Sequence, residues 1–349
     1  MTYIRHLKDI ATGDPTAGGK MSRLADLARA GLTVPHAFVV TTDAFQAVAA
    51  ACDLPSALDR ELAGLDADDS AGLARAEQRL RECLAGAPVP AALTEAVTGA
   101  YEQLCATTRD ALLPVAVRSS ASTEDAVASS SAGQYDTYLG LAGAPAVLDG
   151  MLRCWGSLFG ARALSYRIRS GLSHLDSTMA VGVMELVQAR ASGVAFSLNP
   201  VTGRRDRVVV EATFGFGEAL VQGVVTPDHL EVGRADRRIL SYAVGEKQIV
   251  SAMDHRAGQV VEVAMPELMR AQRVLTDDEI GALVGVVLAA EEMLGAPADV
   301  EWVIPRAYRP GDPVTLVQVR PVTTAVAPPP PSWDAAASAL KYAFKGMPQ

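Results

Sequence analysis

The sequence predicts a protein of mixed helix and strand folded as two lobes. Three observations carry that expectation. The chain of 349 residues is about twice the usual size of one domain. Hydrophobic residues make up 49% and charged residues 20%, so each lobe has material for a core of the ordinary soluble globular kind. Apolar residues at helical spacing fill much of the first half, whereas strand-like runs gather in the second.

Taken in order, Lys20 to Ala30 carries Met21, Leu24 and Leu27 at helical spacing and stops at Gly31, a usual C-terminal capping residue. Ala37 to Val40 reads as a strand, with Thr42 or Asp43 placed to cap the next helix. Between Ser70 and Gly86, Leu73, Ala76, Leu80 and Leu84 keep helical spacing. Pro145 can open a further helix bearing Leu148, Met151, Trp155 and Phe159. Residues this large and apolar are core by default. Strands are expected at Val115 to Ser119, Val181 to Val187, Val208 to Glu211, Val300 to Ile304 and Val314 to Arg320. Thr276 with Glu279 forms a capping box for a helix to about Leu294, stopped at Gly295. Beyond Thr324, Ala325 to Pro331 holds four consecutive prolines, an extended spacer, and Ser332 can cap a short helix through about Phe344.

A net charge of −9 argues against a protein that neutralises a nucleic-acid backbone or an anionic membrane. Phosphate, if bound, must meet a local cluster of cations. Cys52, Cys83, Cys105 and Cys154 are scattered, with neither a CxxC pair nor a histidine at ligand spacing, and read as thiols of a reducing compartment. The start lacks a signal pattern, and the longest uncharged apolar run, Ile280 to Ala290, is far below the ~20 residues of a membrane span. A cytoplasmic location is the expectation.

Four clusters could carry chemistry. Gly18-Gly19-Lys20 stands before the first helix, where backbone amides can approach an anion and the lysine adds positive charge. It is not a P-loop, because the glycine spacing differs and Met21 follows the lysine; a solvated lysine is the bland reading. Arg118 ends a strand and enters a loop of small hydroxyl residues, so its guanidinium can hold a phosphate or simply close a salt bridge. Gly215 and Gly217 begin like a dinucleotide fingerprint, but Leu220 replaces its last glycine, leaving a glycine turn with Glu211 and Glu218 nearby.

The fourth cluster is the most informative. Gln318 and Arg320 share one face of their strand, and a loop with Pro310, Gly311 and Pro313 allows an antiparallel partner that brings Glu301 near both. One carboxylate and one amide oxygen suit Mg2+, and an adjacent arginine can stabilise charge on a moving phosphoryl group. The plain alternative is an ion pair between Glu301 and Arg320.

In order, the runs GGKMSRL, VPHAFVVTTDAF, VRSSASTED with SAGQYDTYLG, SGVAFSLNPVTG, EATFGFGEALVQGVVTPD, DVEWVI and LVQVRPVT resemble the ATP-binding region of phosphoenolpyruvate synthase, pyruvate phosphate dikinase and the rifampicin phosphotransferases. The resemblance spans roughly Ala17 to Thr324, and ordered matches are jointly far more specific than any one. It implies an ATP-grasp fold in which two α+β lobes clasp the nucleotide: residues 1–180, residues 181–324, and then a proline-rich linker with a short helical tail over 325–349.

By motif position, the resemblance implies that Lys20 and Arg118 bind ATP phosphates, that Glu301 and Gln318 hold Mg2+, and that Arg320 contacts the terminal phosphates. Gly133 lies in the loop expected to cover those phosphates. Backbone groups around Glu185, Leu186 and Val187 would read adenine, and Glu218 would contact ribose. Met184 stands where the family commonly has glutamine. Family members move phosphate on a swivelling domain whose histidine sits in a Gly/Ser/Thr-rich motif, and none of His6, His36, His174, His229 and His255 has that context. A pyruvate-binding barrel would need about 250 further residues.

The expected reaction is therefore transfer to a histidine of a separate phosphocarrier protein, with release of AMP and phosphate. That partner would pass the group to a small acceptor. Two-subunit phenylphosphate synthases look like the nearest arrangement, so a phenol or related hydroxylated molecule is the expected acceptor, with pyruvate as an alternative. Rival readings are a nucleotide-sensing subunit without turnover and an ADP-forming ATP-grasp ligase.

Overall fold

In the computed structural model, which describes residues 2–121, 135–254, 256 and 258–322, the strands form two antiparallel sheets and one separate hairpin. The first sheet contains β1 (Ile4–His6), β2 (Ala37–Val40), β3 (Val115–Ala121), β4 (Thr137–Leu141) and β5 (Met179–Glu185), in the spatial order β1-β2-β5-β3-β4. Both faces are covered, which explains the nearly unbroken apolar runs. Along β2, Phe38 and Val40 enter one core and Val39 enters the other, as the two-residue strand period requires.

Helix α1 (Gly18–Arg29) lies on the face that carries Val39. On the opposite face, α2 (Thr42–Ala51), α3 (Leu54–Leu62), α4 (Ser70–Ala85), α5 (Ala91–Thr108), α6 (Ala144–Gly156) and α7 (Ala161–Ser170) bury the larger core. The stripe Leu73, Ala76, Leu80 and Leu84 points into it, and so do Met151, Trp155 and Phe159. Trp155 is fully buried, and its indole N–H donates to the Met179 carbonyl at 2.9 Å, which satisfies the polar atom that burial would otherwise strand. Neither Thr42 nor Asp43 caps α2. The N-cap is Thr41, and its hydroxyl instead donates to the Thr2 carbonyl at 2.7 Å, tying the lead segment to the helix.

The second sheet begins with β6 (Ala189–Phe196), β7 (Arg207–Phe214), β8 (Asp228–Gly233) and β9 (Ile239–Ala243). A short helix, α8 (Glu218–Val221), follows β7. The hairpin of β10 (Ile249–Asp254) and β11 (Gln259–Ala264) comes next, then α9 (Glu267–Arg270) and α10 (Asp277–Leu294). Strands β12 (Ala298–Pro305) and β13 (Thr315–Pro321) complete the sheet, in the order β13-β12-β6-β7-β8-β9. The capping box at Thr276 and Glu279 is formed, and Gly295 ends α10 in the left-handed conformation. Residues of α1 and α10 share one core with the second sheet, so α1 lies on the seam between the sheets.

A division after residue 180 would pass through β5, which pairs with β3 from Met179 to Glu185 and with β2 from Val181 to Met184; the first sheet closes at Glu185. The proline run over 325–331 and the helix expected from Ser332 lie outside the described residues. No helix among the described residues is long and apolar enough to cross a membrane.

Candidate functional site

The first cluster is held by close packing of α1 on β3. Gly18 has φ +69°, and a Cβ there would sit 1.8 Å from the Ser120 carbonyl oxygen. Only glycine allows that approach. The Ser120 hydroxyl donates to the Ala17 carbonyl at 2.9 Å and accepts the Met21 N–H at 3.1 Å, fixing the start of α1. Lys20 is thereby held in the first turn, with Nζ 3.4 Å from the Ser119 hydroxyl. The glycine read as an opening for an anion thus also serves as the contact that aims Lys20 along β3.

Arg118 on β3 is buried, and its guanidinium crosses to the second sheet. It donates to the Val317 carbonyl at 3.2 Å and to the Gln318 side-chain oxygen. Its Nε is buried without a hydrogen-bond partner among the described residues. A buried donor in that state is costly unless something binds there.

On the second sheet, Glu301 and Gln318 are register partners across β12 and β13, as the alternation predicted. Arg320 is not paired with Glu301. Its register partner is Asp299, and its Nε donates to Asp299 Oδ2 at 2.6 Å. Asp299 is buried, whereas about half of the Arg320 side chain, 45%, faces solvent. Burial pushes the Asp299 carboxyl above its ordinary range; the Arg320 guanidinium opposes that, and the nearby Glu301 charge adds to it. Sequence reasoning missed Asp299, although the same two-residue period that selected Glu301 places it on the same strand face.

Beside these polar groups, Ala116, Leu186, Ala189, Phe216 and Val303 form a small apolar cluster drawn from both sheets. The N–H groups of Glu185 and Leu186 are engaged, donating to the carbonyls of His36 at 2.8 Å and Pro114 at 3.0 Å. Among the backbone groups of Glu185, Leu186 and Val187 expected to meet adenine, that leaves the Val187 N–H without a partner among the described residues. The Met184 side chain packs into the core shared with α1, so the glutamine-to-methionine departure falls inside the protein. Gly215, at φ +70°, would place a Cβ 2.2 Å from the Ser251 carbonyl oxygen, so this glycine allows the turn before α8 to meet β10. Glu218 begins α8 and accepts from Gln222 Nε2 at 3.2 Å. Burial raises its carboxyl, and the Glu262 charge adds to the shift. Gly133 lies outside the described residues.

A buried ion pair also escaped the sequence reading. Asp228 and Lys247 have fully buried side chains and face each other. Asp228 also accepts from the Tyr242 hydroxyl at 2.6 Å, the Val274 N–H at 2.9 Å and the Gly245 N–H at 3.0 Å. The pair ties the start of β8 to the segment before β10, with Lys247 Nζ 5.8 Å from the centre of the Phe214 ring.

Residues 14–332 match the family described as pyruvate phosphate dikinase, AMP/ATP-binding domain. The chain is 37% identical over 325 residues to a probable phosphoenolpyruvate synthase of Methanocaldococcus jannaschii, covering 93% of this chain and 27% of that protein. It is 36% identical over 323 residues to the corresponding protein of Methanothermobacter thermautotrophicus, covering 92% of this chain and 46% of that one. A rifampicin phosphotransferase of a Streptomyces species is 38% identical over 320 residues, covering 91% of this chain and 36% of the other. The chain therefore spans less than half the length of each of these relatives.

Proposed function

The chain belongs to the pyruvate phosphate dikinase AMP/ATP-binding domain family, and on that premise we propose that it is an ATP-grasp phosphotransfer unit. It binds Mg-ATP where the two sheets meet and phosphorylates a histidine on a separate carrier domain or subunit. AMP and phosphate are released, and the carrier passes its phosphoryl group to a small hydroxylated or keto acceptor. One observation supports this above all others: Arg118 of the first sheet reaches Gln318 of the second, beside Glu301 and Arg320.

The residues fit the proposed ligands. Lys20, Arg118 and Arg320 supply local positive charge in a chain of net charge −9, and the buried Nε of Arg118 lacks a described partner. The carboxylate of Glu301 and the amide oxygen of Gln318 are the hard oxygen donors that Mg2+ takes, with phosphate and water completing its shell. The metal ion would neutralise charge on the phosphate oxygens.

Within this reading, Lys20 and Arg118 bind the phosphates, and Glu301 and Gln318 hold the metal. Arg320 meets the terminal phosphates. The Val187 N–H and the apolar wall of Leu186, Phe216 and Val303 receive the base, and Glu218 contacts ribose. Gly133 belongs to the segment expected to cover the phosphates. The carrier histidine attacks the β-phosphorus, AMP departs with the α–β bridging oxygen, and water then cleaves the β–γ bond of the pyrophosphoryl-histidine so formed, releasing phosphate and leaving one phosphoryl group on the histidine. That displacement needs positioning and charge neutralisation more than a nucleophile from this chain.

The test is to incubate the protein with β-labelled ATP, Mg2+ and a histidine-carrier domain supplied in trans. Label on the carrier together with AMP is expected. Formation of ADP alone would contradict the histidine route and favour a ligase. ATP binding without any AMP would favour a nucleotide sensor.

A further inference from the structure

We propose that Asp299 is a positioning residue that sets the Arg320 guanidinium for the distal phosphates and so gives the site its preference for a triphosphate over a monophosphate. The inference rests on the Mg-ATP reading and adds a residue to it.

The geometry is a two-by-two arrangement on one face of the β12–β13 pair. Asp299 lies opposite Arg320, and Glu301 lies opposite Gln318. Strand alternation puts Asp299 and Glu301 side by side on β12, so two acids stand where phosphates would approach. Left uncompensated, a second carboxylate there would repel the ligand and compete for the metal. The 2.6 Å contact from Arg320 Nε compensates the Asp299 charge.

The same contact orders Arg320. Its side chain is 45% exposed, and a long exposed arginine samples many rotamers unless something fixes it. The anchor itself is held by its surroundings, because the Asp299 side chain is only 9% exposed and sits on a strand paired on both sides. Fixing Nε defines the plane of the guanidinium and therefore where its terminal nitrogens can point. A group ordered in this way acts on the part of the nucleotide within its reach. Those are the outer phosphates, which AMP lacks.

The test is calorimetric titration of the folded full chain with Mg-ATP and, separately, with AMP. Asp299→Asn should weaken ATP binding by about tenfold while AMP binding changes less than about twofold. Combining it with Arg320→Ala should weaken ATP no further than Arg320→Ala alone, since the two residues act as one unit. Arg320→Lys keeps the charge but lacks Nε, so it should lose the same ATP preference; it serves as the second variant if Asp299→Asn does not fold. A wild-type ATP-to-AMP affinity ratio in Asp299→Asn, or in Arg320→Lys where the first variant is unfolded, overturns the inference and leaves the Mg-ATP reading standing. Wild-type protein that fails to bind Mg-ATP overturns both.

Discussion

Arg118 and Gln318 are 200 residues apart in sequence, yet the guanidinium of the first donates directly to the side-chain oxygen of the second. The contact joins an inner strand of one sheet to an edge strand of the other. It places a cation and an oxygen donor from different sheets at one point. Replacing Arg118 by methionine should therefore weaken Mg-ATP binding by about 1.5–3 kcal/mol, the range for a hydrogen bond to a charged group. Arg118→Lys should recover only part of it, because a lysine cannot reproduce the planar fork. Equilibrium dialysis with labelled ATP reads both effects, and wild-type affinity in the methionine variant would remove Arg118 from the site.

Glu301 is the carboxylate on the register pair with Gln318. Glu301→Gln should raise the Mg2+ concentration needed for half-maximal ATP binding by about tenfold, since a charged oxygen ligand becomes a neutral one. A magnesium titration at fixed ATP measures the shift. An unchanged midpoint would move the metal elsewhere.

Two glycines with similar backbone angles should respond differently to alanine. Gly13 and Gly18 have φ +72° and +69°, but a Cβ at Gly13 meets nothing within 4 Å, whereas at Gly18 it would lie 1.8 Å from Ser120 O. Gly13→Ala should cost about 1–2 kcal/mol of stability from backbone strain alone. Gly18→Ala should cost about 3 kcal/mol or more, adding the displacement of α1 from β3, and should also weaken ATP binding through Lys20. Urea denaturation of both variants makes the comparison.

The Asp228–Lys247 pair predicts a strong and non-additive effect. Lys247→Met leaves a buried carboxylate without its counter-charge and should cost about 3–5 kcal/mol. Adding Asp228→Asn should cost less than the sum of the single changes, because the second substitution removes the orphaned charge. Denaturant midpoints of the three variants test this.

His174 accepts a hydrogen bond from Arg167 Nε at 3.1 Å, and burial, with the Arg167 charge, lowers its pKa from the usual 6.5. The unfolded chain therefore binds a proton there before the folded chain does. Its contribution to stability is fully present above about pH 6.5 and declines as the pH falls toward the lower, folded-state value. Thermal melts between pH 7.5 and 5.5, about one unit on either side of the ordinary histidine value, should show a downward slope that His174→Gln reduces. Equal slopes in the two proteins would remove His174 as its source.

What the sequence disclosed follows the range of each interaction. The β12–β13 pairing was readable because alternation and a Pro/Gly loop lie within one short stretch, and it brought Glu301 opposite Gln318. The same alternation contains Asp299, but which of the two acids faces Arg320 is set by the register across the loop, which alternation alone does not fix. Strand β5 is apolar on both faces, so its sequence does not reveal which sheet it enters, and a division at residue 180 passed through it. The contact from Arg118 to Gln318 and the pair Asp228–Lys247 leave no local pattern, since each depends on where distant strands meet.

In the proposed site, Lys20, Arg118, Glu301, Gln318 and Arg320 surround one metal-bound triphosphate. A crystal structure of the protein with Mg2+ and a non-hydrolysable ATP analogue tests it most directly. The expected result is a metal about 2.1 Å from oxygens of both Glu301 and Gln318, with the phosphates against the three cations. A nucleotide bound elsewhere, with those five side chains free of it, would rule out this site.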